Sequence, residues 1–399
     1  MIINKLIINK WNVLENINIE FLEPESSNNS INVIAGINGS GKTSILEMIY
    51  NGFRYFEINK ENSYFKGSDR FRQSYPFDFT LVIDQKSLRF QKENGKVKFF
   101  ENDTQFFDDL VFSENGIRQP SQIIKNCIDT GSRVIYMPMT SIFSYSPQIN
   151  FNNKEAFTIV IDAESVLGNA DLYIKNYILS HERKSDAPAI KRTFDAVNSF
   201  NHIFKDTQLL TKLVDLDDSD NNRPLFQTIT GEKVHIEQLC SGEQQLYGRV
   251  VALMILNPKN SIILIDEPDI ALHPEWQMNI LDIYRKIGEN NQFIITTHSP
   301  QLISNTHFSE LTILLTKNDN VIASRFAKPP ISRDINSILE EIMGTKIRPV
   351  HLENLYTKYF SLFQEDSPEA AKIRNAILEL ESEQSEFMQN IDFYRELKE

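Results

Sequence analysis

Apolar residues fall along this 399-residue chain in changing rhythms that predict its elements. Ile2–Ile8 alternates loosely, Ile17–Phe21 follows, and Ile31–Ala35 is nearly continuous, as in a strand buried on both faces. After Gly41 the spacing turns helical, with Ile45, Leu46, Ile49, Phe53 and Phe56 on one side. Alternation returns between Thr80 and Phe100, with Gly95 as a hairpin turn. Residues 101–150 are polar and aromatic, apart from a strand-like Val134-Ile135-Tyr136 ending at Pro138. Residues 160–214 read as helical, and Asp215 to Asn222 as an exposed turn. Strands Ile262–Ile265 and Phe293–Thr297 flank a helix near Glu275–Ile287, a β–α–β unit that implies parallel pairing. From Asp334 onward helical patterning dominates, with no internal repeat and no sustained heptad.

Between the third strand and the first helix stands Gly36-Ile-Asn-Gly-Ser-Gly41-Lys42-Thr43, a full match to G-x-x-x-x-G-K-[ST] in the strand–helix context that motif requires. Its glycines let backbone N–H groups curl around a phosphate chain at a helix N-terminus. Asn38, Gly39, Ser40, Gly41, Lys42, Thr43 and Ser44 are the candidate phosphate-binding set. Lys42 reaches toward the β- and γ-phosphates, and the Thr43 hydroxyl is placed for Mg²⁺.

Ile262–Ile265 then delivers Asp266-Glu267-Pro268 to the carboxyl end of a central strand, where open parallel sheets bind ligands. Asp266 suits the metal and Glu267 suits a general base for water; an acidic turn after a core strand is the plain alternative. Cys240-Ser241-Gly242-Glu243 opens an apolar helix 25 residues before Asp266, either as an anion site or as a simple N-cap. His298 comes directly after the last buried strand, as a switch residue or as a structural histidine.

In chain order, Gly36–Thr43, Ser241-Gly242-Glu243, Asp266-Glu267 and His298, the motifs resemble those of ABC-type ATPases, with Ser241-Gly242-Glu243 similar to the signature of the RecF/RecN/SMC branch. Cys240 stands where the relatives often carry serine. The phrases Asp266-Glu-Pro-Asp-Ile-Ala-Leu-His273-Pro-Glu-Trp276-Gln277 and Thr296-Thr-His-Ser-Pro-Gln-Leu-Ile-Ser304 resemble the AAA-21/OLD-like ATPases of bacterial defence systems, including those of Septu systems and those beside retrons. The segment Ser332 to Gly344, through Arg348-Pro349, is similar to the stretch after the head in that group.

The resemblance implies an α/β fold: an ABC-type P-loop ATPase head, with a mixed sheet flanked by helices, a helical insertion and a C-terminal helical region. The boundaries are 1–155 and 226–330 for the two parts of the head, 156–225 for the insertion, and 331–399 for a partner-binding tail. It further implies ATP and Mg²⁺ as cofactors and a homodimer or higher homo-oligomer. Ser241, Gly242 and Glu243 of one copy would meet the nucleotide held by the other, with Glu267 and His298 as the catalytic pair and Thr43 with Asp266 at the metal. A coupling glutamine is expected, for which Gln122 and Gln148 are candidates. Trp11, Phe21 and Tyr55 could stack on adenine, though core packing suits each better.

Composition narrows the function. With 41 Lys+Arg against 54 Asp+Glu the net charge is −13, unlike a chain coated for non-specific nucleic-acid binding. The cluster Lys175, His181, Arg183, Lys184, Lys191 and Arg192 is interrupted by acids and reads better as a solvated face than as a binding stripe. The two cysteines form no metal or disulfide pattern, and no apolar stretch suits a membrane, so a cytoplasmic protein without a membrane partner is expected. The seven histidines make no H-x-x-x-H or His-Asn nuclease pattern, and about 70 residues after the head are too few for an appended TOPRIM nuclease domain. Cutting would therefore fall to a separate nuclease or effector, HNH type or retron-linked, with nucleic acid reached through the complex. The leading expectation is a regulatory ATPase of an anti-phage defence complex. The alternatives are a RecF/RecN-like repair ATPase that clamps DNA and, less well matched, a transporter ATPase subunit.

Overall fold

The computed structural model describes residues 1–54, 76–93, 96–108, 126–127, 129–139, 157–184, 186, 188–207, 209–219, 221–317, 320–325, 335–344, 348–364 and 367–391. It divides into two compact units, Met1–Ile335 and Asn336–Glu399.

The first unit begins with β1 (Ile3–Trp11), β2 (Leu14–Glu20) and β3 (Ser30–Gly36), then α1 (Lys42–Arg54). A meander of β4 (Phe77–Ile83), β5 (Lys86–Glu93), β6 (Lys96–Glu101) and β7 (Thr104–Asp108) joins β1 and β2 in a six-stranded sheet ordered β2-β1-β4-β5-β6-β7. Neighbouring strands in it run antiparallel. Asp84-Gln85 and Asn102-Asp103 close two of its hairpins with positive φ at both central residues, the turn whose twist suits flanking strands. Gly95, the expected turn between β5 and β6, lies outside the described residues, as does Phe56.

The second sheet holds the candidate site. β8 (Val134–Met137) and β9 (Thr158–Val160) precede α2 (Ala163–Lys184), α3 (Ala189–Ile203), β10 (Thr211–Leu216), β11 (Pro224–Thr228), β12 (Lys233–Val234) and α4 (Ser241–Leu256). Then come β13 (Ile262–Asp266), α5 (Pro274–Arg285), β14 (Gln292–Thr297), α6 (Pro300–Asn305), β15 (Leu311–Lys317) and β16 (Asn320–Arg325). Seven strands align as β16-β15-β3-β14-β13-β8-β9, all parallel except the β15–β16 pair. Met137, Ile265, Ile295 and Val33 lie side by side across four of them, so β3, β13 and β14 end at one common edge.

α1 is wedged between the two sheets. Ile45, Leu46, Met48, Ile49, Tyr50 and Phe53 are buried in one cluster with Phe79, Leu81 and Phe90 of the antiparallel sheet and Ile34, Leu264 and Ile294 of the parallel one. Each such side chain contributes about 1.5–3 kcal/mol by leaving water, so the helix that carries the phosphate loop is firmly seated.

The expected helical insertion, 156–225, holds two helices, but β10-β11-β12 form a three-stranded antiparallel sheet that replaces the helical reading from Thr211 and runs past the expected boundary at 225/226. Its short strands carry too few alternations to outweigh the long helical pattern before them. The expected exposed turn does join β10 to β11, with Asp217 accepting from the backbone N–H of Ser219 and Arg223.

The second unit contains α7 (Val350–Gln364) and α8 (Ala370–Leu378) around Leu352, Tyr356, Tyr359, Ile377, Met388 and Ile391. Tyr356 stacks on Phe387 with ring centroids 3.6 Å apart.

Candidate functional site

The phosphate loop is shaped by the room its neighbours leave. At Gly36 a Cβ would lie 2.8 Å from the Leu314 carbonyl of β15, and at Gly41 φ is +93° with Leu14 2.9 Å from where a Cβ would stand. Only glycine meets both demands without strain. Asn38 and Gly39 form the exposed crown, while Ser40 and Ser44 are buried. Among the described residues the buried Ser40 hydroxyl has no hydrogen-bond partner.

Lys42 lies 5% exposed with its ammonium donating to the Gly36 and Ile37 carbonyls at 2.9 and 3.1 Å. Burial pulls its pKa down, and the charges of Glu267, Asp266 and Asp269 offset part of that effect. Thr43 points its hydroxyl at Asp266, 3.1 and 3.0 Å from the two carboxylate oxygens. Thr296 donates to the same carboxylate at 2.5 Å. Desolvation raises the Asp266 pKa, the Thr296 and Thr43 hydrogen bonds lower it, and the neighbouring Glu267 charge raises it further.

Glu267 leaves β13 with φ at 44°, a left-handed turn of about 1 kcal/mol strain for a residue with a side chain. Its N–H donates to the Thr296 carbonyl at 3.1 Å, which holds the turn against β14. Its carboxylate is thereby brought 4.0 Å from the Lys42 ammonium and 3.0 Å from His298 Nδ1. The His298 contact has ion-pair distance but lacks hydrogen-bond alignment, and the imidazole side chain is 39% exposed. Lys42, Thr43, Asp266, Glu267 and His298, far apart in sequence, thus meet at one edge because three parallel strands end there.

The signature residues sit differently. Cys240 and Ser241 are exposed at the start of α4, while Gly242 and Glu243 are buried. Glu243 turns inward, accepting from the Thr211 hydroxyl at 2.7 Å and from the Cys240 thiol at 3.4 Å. Both oxygens are therefore engaged inside its own chain, so Glu243 shapes the loop that presents Ser241. A Cβ on Gly242 would stand 2.8 Å from the Ala271 carbonyl and 3.1 Å from the Trp276 ring, which ties the signature helix to the segment after Glu267.

Four residues of this edge are not evident as site residues from sequence: Thr296, Thr297, Asp269 and Gln277. The two threonines carry a usable signal, since they end an otherwise apolar parallel strand just before His298. Trp11 and Phe21 belong to the core cluster, in keeping with their better-suited packing role. Gln122, Gln148 and Tyr55 lie outside the described residues. In the basic cluster, Lys175 donates to the Asn221 carbonyl, His181 packs at a tilt against the Tyr177 ring, and Arg183, Lys184 and Lys191 are exposed.

A divalent cation fits the Thr43–Asp266 pair, since a hydroxyl and a carboxylate in mutual reach are the hard oxygen donors Mg²⁺ favours. Among the described residues no group of three or more His, Cys, Asp or Glu could hold a metal alone. Its other ligands would then be phosphate oxygens and water.

Residues 144–304 match the family model described as "AAA domain, putative AbiEii toxin, Type IV TA system". The match takes in the signature, Asp266-Glu267 and His298. The resemblance to defence-linked AAA-type ATPases holds. The chain is 33% identical to the "Retron Ec83 probable ATPase" of Escherichia coli over 41% of its own length and 30% of that protein. It is 23% identical to the "Septu protein PtuA" of Bacillus thuringiensis over 79% of each chain. Three of the relatives are matched over only 30%, 31% and 48% of their own lengths. Among solved structures, the SMC head domain from Thermotoga maritima aligns with a TM-score of 0.45 at 15% identity, covering 82% of this chain and 100% of that one. No helix among the described residues is long and apolar enough to cross a membrane.

Proposed function

We propose that this chain binds and hydrolyses ATP with Mg²⁺ and serves as the regulatory ATPase of an anti-phage defence complex. The observation that carries the nucleotide reading is the bridge from Thr43 to Asp266, which joins the phosphate-loop helix to the central strand beside Lys42 and Glu267. The defence reading rests on the likeness to retron and Septu ATPases.

Mg²⁺, when bound, supplies charge neutralisation for the β- and γ-phosphates. The chain's own residues do the rest. Lys42 trades its two carbonyl partners for phosphate oxygens, a donor already aimed and desolvated. Glu267 accepts a proton from the attacking water, held in its left-handed turn by Thr296. His298, 3.0 Å from that carboxylate, faces the same space and steadies the charge that develops there.

Ser241 is exposed at a helix start and, among the described residues, has no hydrogen bond to its own phosphate loop. That supports a dimer in which each copy's Ser241 and Gly242 cover the other's nucleotide. ATP then favours the closed pair, and hydrolysis releases it, a switch set by differential affinity. The effector under control is a separate nuclease.

Measurement of ATP turnover and of mass in solution tests this. Glu267→Gln should bind ATP, lose about 10²–10⁴-fold in turnover, and accumulate dimer with ATP and Mg²⁺. Turnover at the parental rate in that variant refutes the base assignment. A monomer in every nucleotide state refutes the dimer.

A further inference from the structure

We infer that Gln277, together with Ser299, is a positioning element that holds Glu267 and His298 in register, an inference that rests on the ATPase reading above. Glu267 and His298 stand at the start of two different loops, 267–273 after β13 and 298–299 after β14. A general base and its neighbour 3.0 Å away keep that separation only if the loops are tied together.

Gln277, in the first turns of α5, spends its whole side-chain amide on this tie. Nε2 donates to the carbonyls of Asp269 and Leu272 at 3.1 and 2.9 Å, both in the loop that begins at Glu267. Oε1 accepts from the Ser299 hydroxyl at 2.6 Å, the residue immediately after His298. Half-buried, the amide thus joins the two loops in one bridge.

A second tie runs beside the first. Thr297 donates its hydroxyl to the Asp269 carboxylate at 2.7 Å and accepts from the Ser299 N–H at 2.9 Å. Asp269 is therefore gripped at its carboxylate from β14 and at its carbonyl from α5. None of these groups reaches the reacting atoms; they act through the backbone of the two loops. An amide suits the task because it donates and accepts at once, whereas Glu at this position would turn a carboxylate oxygen toward two carbonyls.

The test uses the full chain, with kcat and KM for ATP measured on the parent, Q277A, Q277E, S299A, the Q277A/S299A double variant and E267Q. Each of Q277A, Q277E and S299A should lower kcat about tenfold while KM stays within about twofold, the split that marks a defect confined to the transition state. Because Q277A and S299A break one shared bond, their losses in the double variant should fall short of the product of the single losses. Parental kcat in Q277A, a loss confined to KM, or losses that multiply in the double variant would overturn the inference. If Q277A is too unstable to assay, Q277E carries the same comparison, with S299T, which keeps the hydroxyl that caps α6 at the Leu302 N–H, as the control for S299A. Loss in E267Q beside parental activity in Q277A sinks the tie alone, whereas a parent without ATPase activity sinks the reading beneath it.

Discussion

The two ends of the parallel sheet are both polar and both buried, yet they are built from opposite chemistry. At the amino end Gln292, fully buried, donates to the Ile3 and Leu22 carbonyls at 2.8 and 3.0 Å and accepts from the Ile3 N–H at 2.8 Å. Asn291 donates to the Pro258 carbonyl and accepts from the Ser261 N–H, and Asn29 donates to the Arg285 and Ile287 carbonyls. Every one of these partners is backbone and every side chain is a neutral amide. At the carboxyl end Lys42, Asp266, Glu267 and Asp269 are ionisable and buried; hydroxyls hold the carboxylates of Asp266 and Asp269, Glu267 lies 4.0 Å from the Lys42 ammonium, and only Lys42 leans on backbone carbonyls. Buried amides matched to backbone groups fasten a fold; buried charges matched to side chains carry a cost that a fold alone does not require.

The sharpest break of this contrast is Asp266→Asn. The amide keeps oxygen for Thr43 or Thr296 but loses the charge a cation needs, so turnover should drop by about 10²–10³-fold, comparable with removing one electrostatic stabiliser. The melting temperature should hold or rise, because a buried carboxylate has been replaced by a neutral group. A variant that melts well below the parent would make this edge structural.

The opposite outcome is expected at the amino end. Gln292→Leu leaves the Ile3 N–H and the Ile3 and Leu22 carbonyls without that partner and should destabilise the chain by about 2–4 kcal/mol in urea unfolding. Its kcat, measured well below the melting transition, should remain parental. Lost turnover in a fully folded variant would mean that the two ends are coupled through the sheet.

Gly242→Ala sharpens the contrast by asking how far the carboxyl edge extends. A methyl group there meets the Ala271 carbonyl at 2.8 Å, so the start of α4 must shift from the loop after Glu267. About a tenfold fall in turnover with little change in ATP affinity is expected, equivalent to a strain of about 1.4 kcal/mol. Unchanged kinetics would confine the edge to the strand ends.

The unequal legibility of these regions has a physical origin. Strands β3, β13 and β14 are read from sequence because strands buried on both faces leave continuous apolar runs, and Gly36 to Thr43 because phosphate binding fixes residue types at fixed spacing. Asp266, Glu267 and His298 are legible from position, at the ends of such strands. The motif alone puts Glu243 at the nucleotide, but its inward turn depends on Thr211, 32 residues earlier, and no local pattern encodes that pairing. Gln277 and the amide network at the amino end are hidden for the same reason, since their partners, backbone groups throughout the network and, for Gln277, the Ser299 hydroxyl as well, are set by tertiary contact. The β10-β11-β12 sheet is masked because its strands are short and come after two long helices.

The finest test of the contrast is Asp269→Asn, which gives one residue of the carboxyl edge the neutral character of the amino end. Burial raises the Asp269 pKa; the Thr297 hydroxyl bond lowers it, His298 lowers it further, and Glu267 raises it. Between the unfolded and folded values the native state holds the proton more firmly than the unfolded chain does. Stability therefore falls as pH rises through that window, and the loss is complete above the folded value. The asparagine variant keeps an oxygen for Thr297 and has no proton to lose. Its melting temperature should exceed the parent's at pH 8 by about 1–2 °C, a shift of about 1 kcal/mol in a unit of this size. That gain should shrink as pH falls toward the ordinary carboxylate range. A variant that melts lower than the parent at pH 8 would show the Asp269 charge to be a net stabiliser, and the two ends of the sheet would then differ in chemistry without differing in purpose.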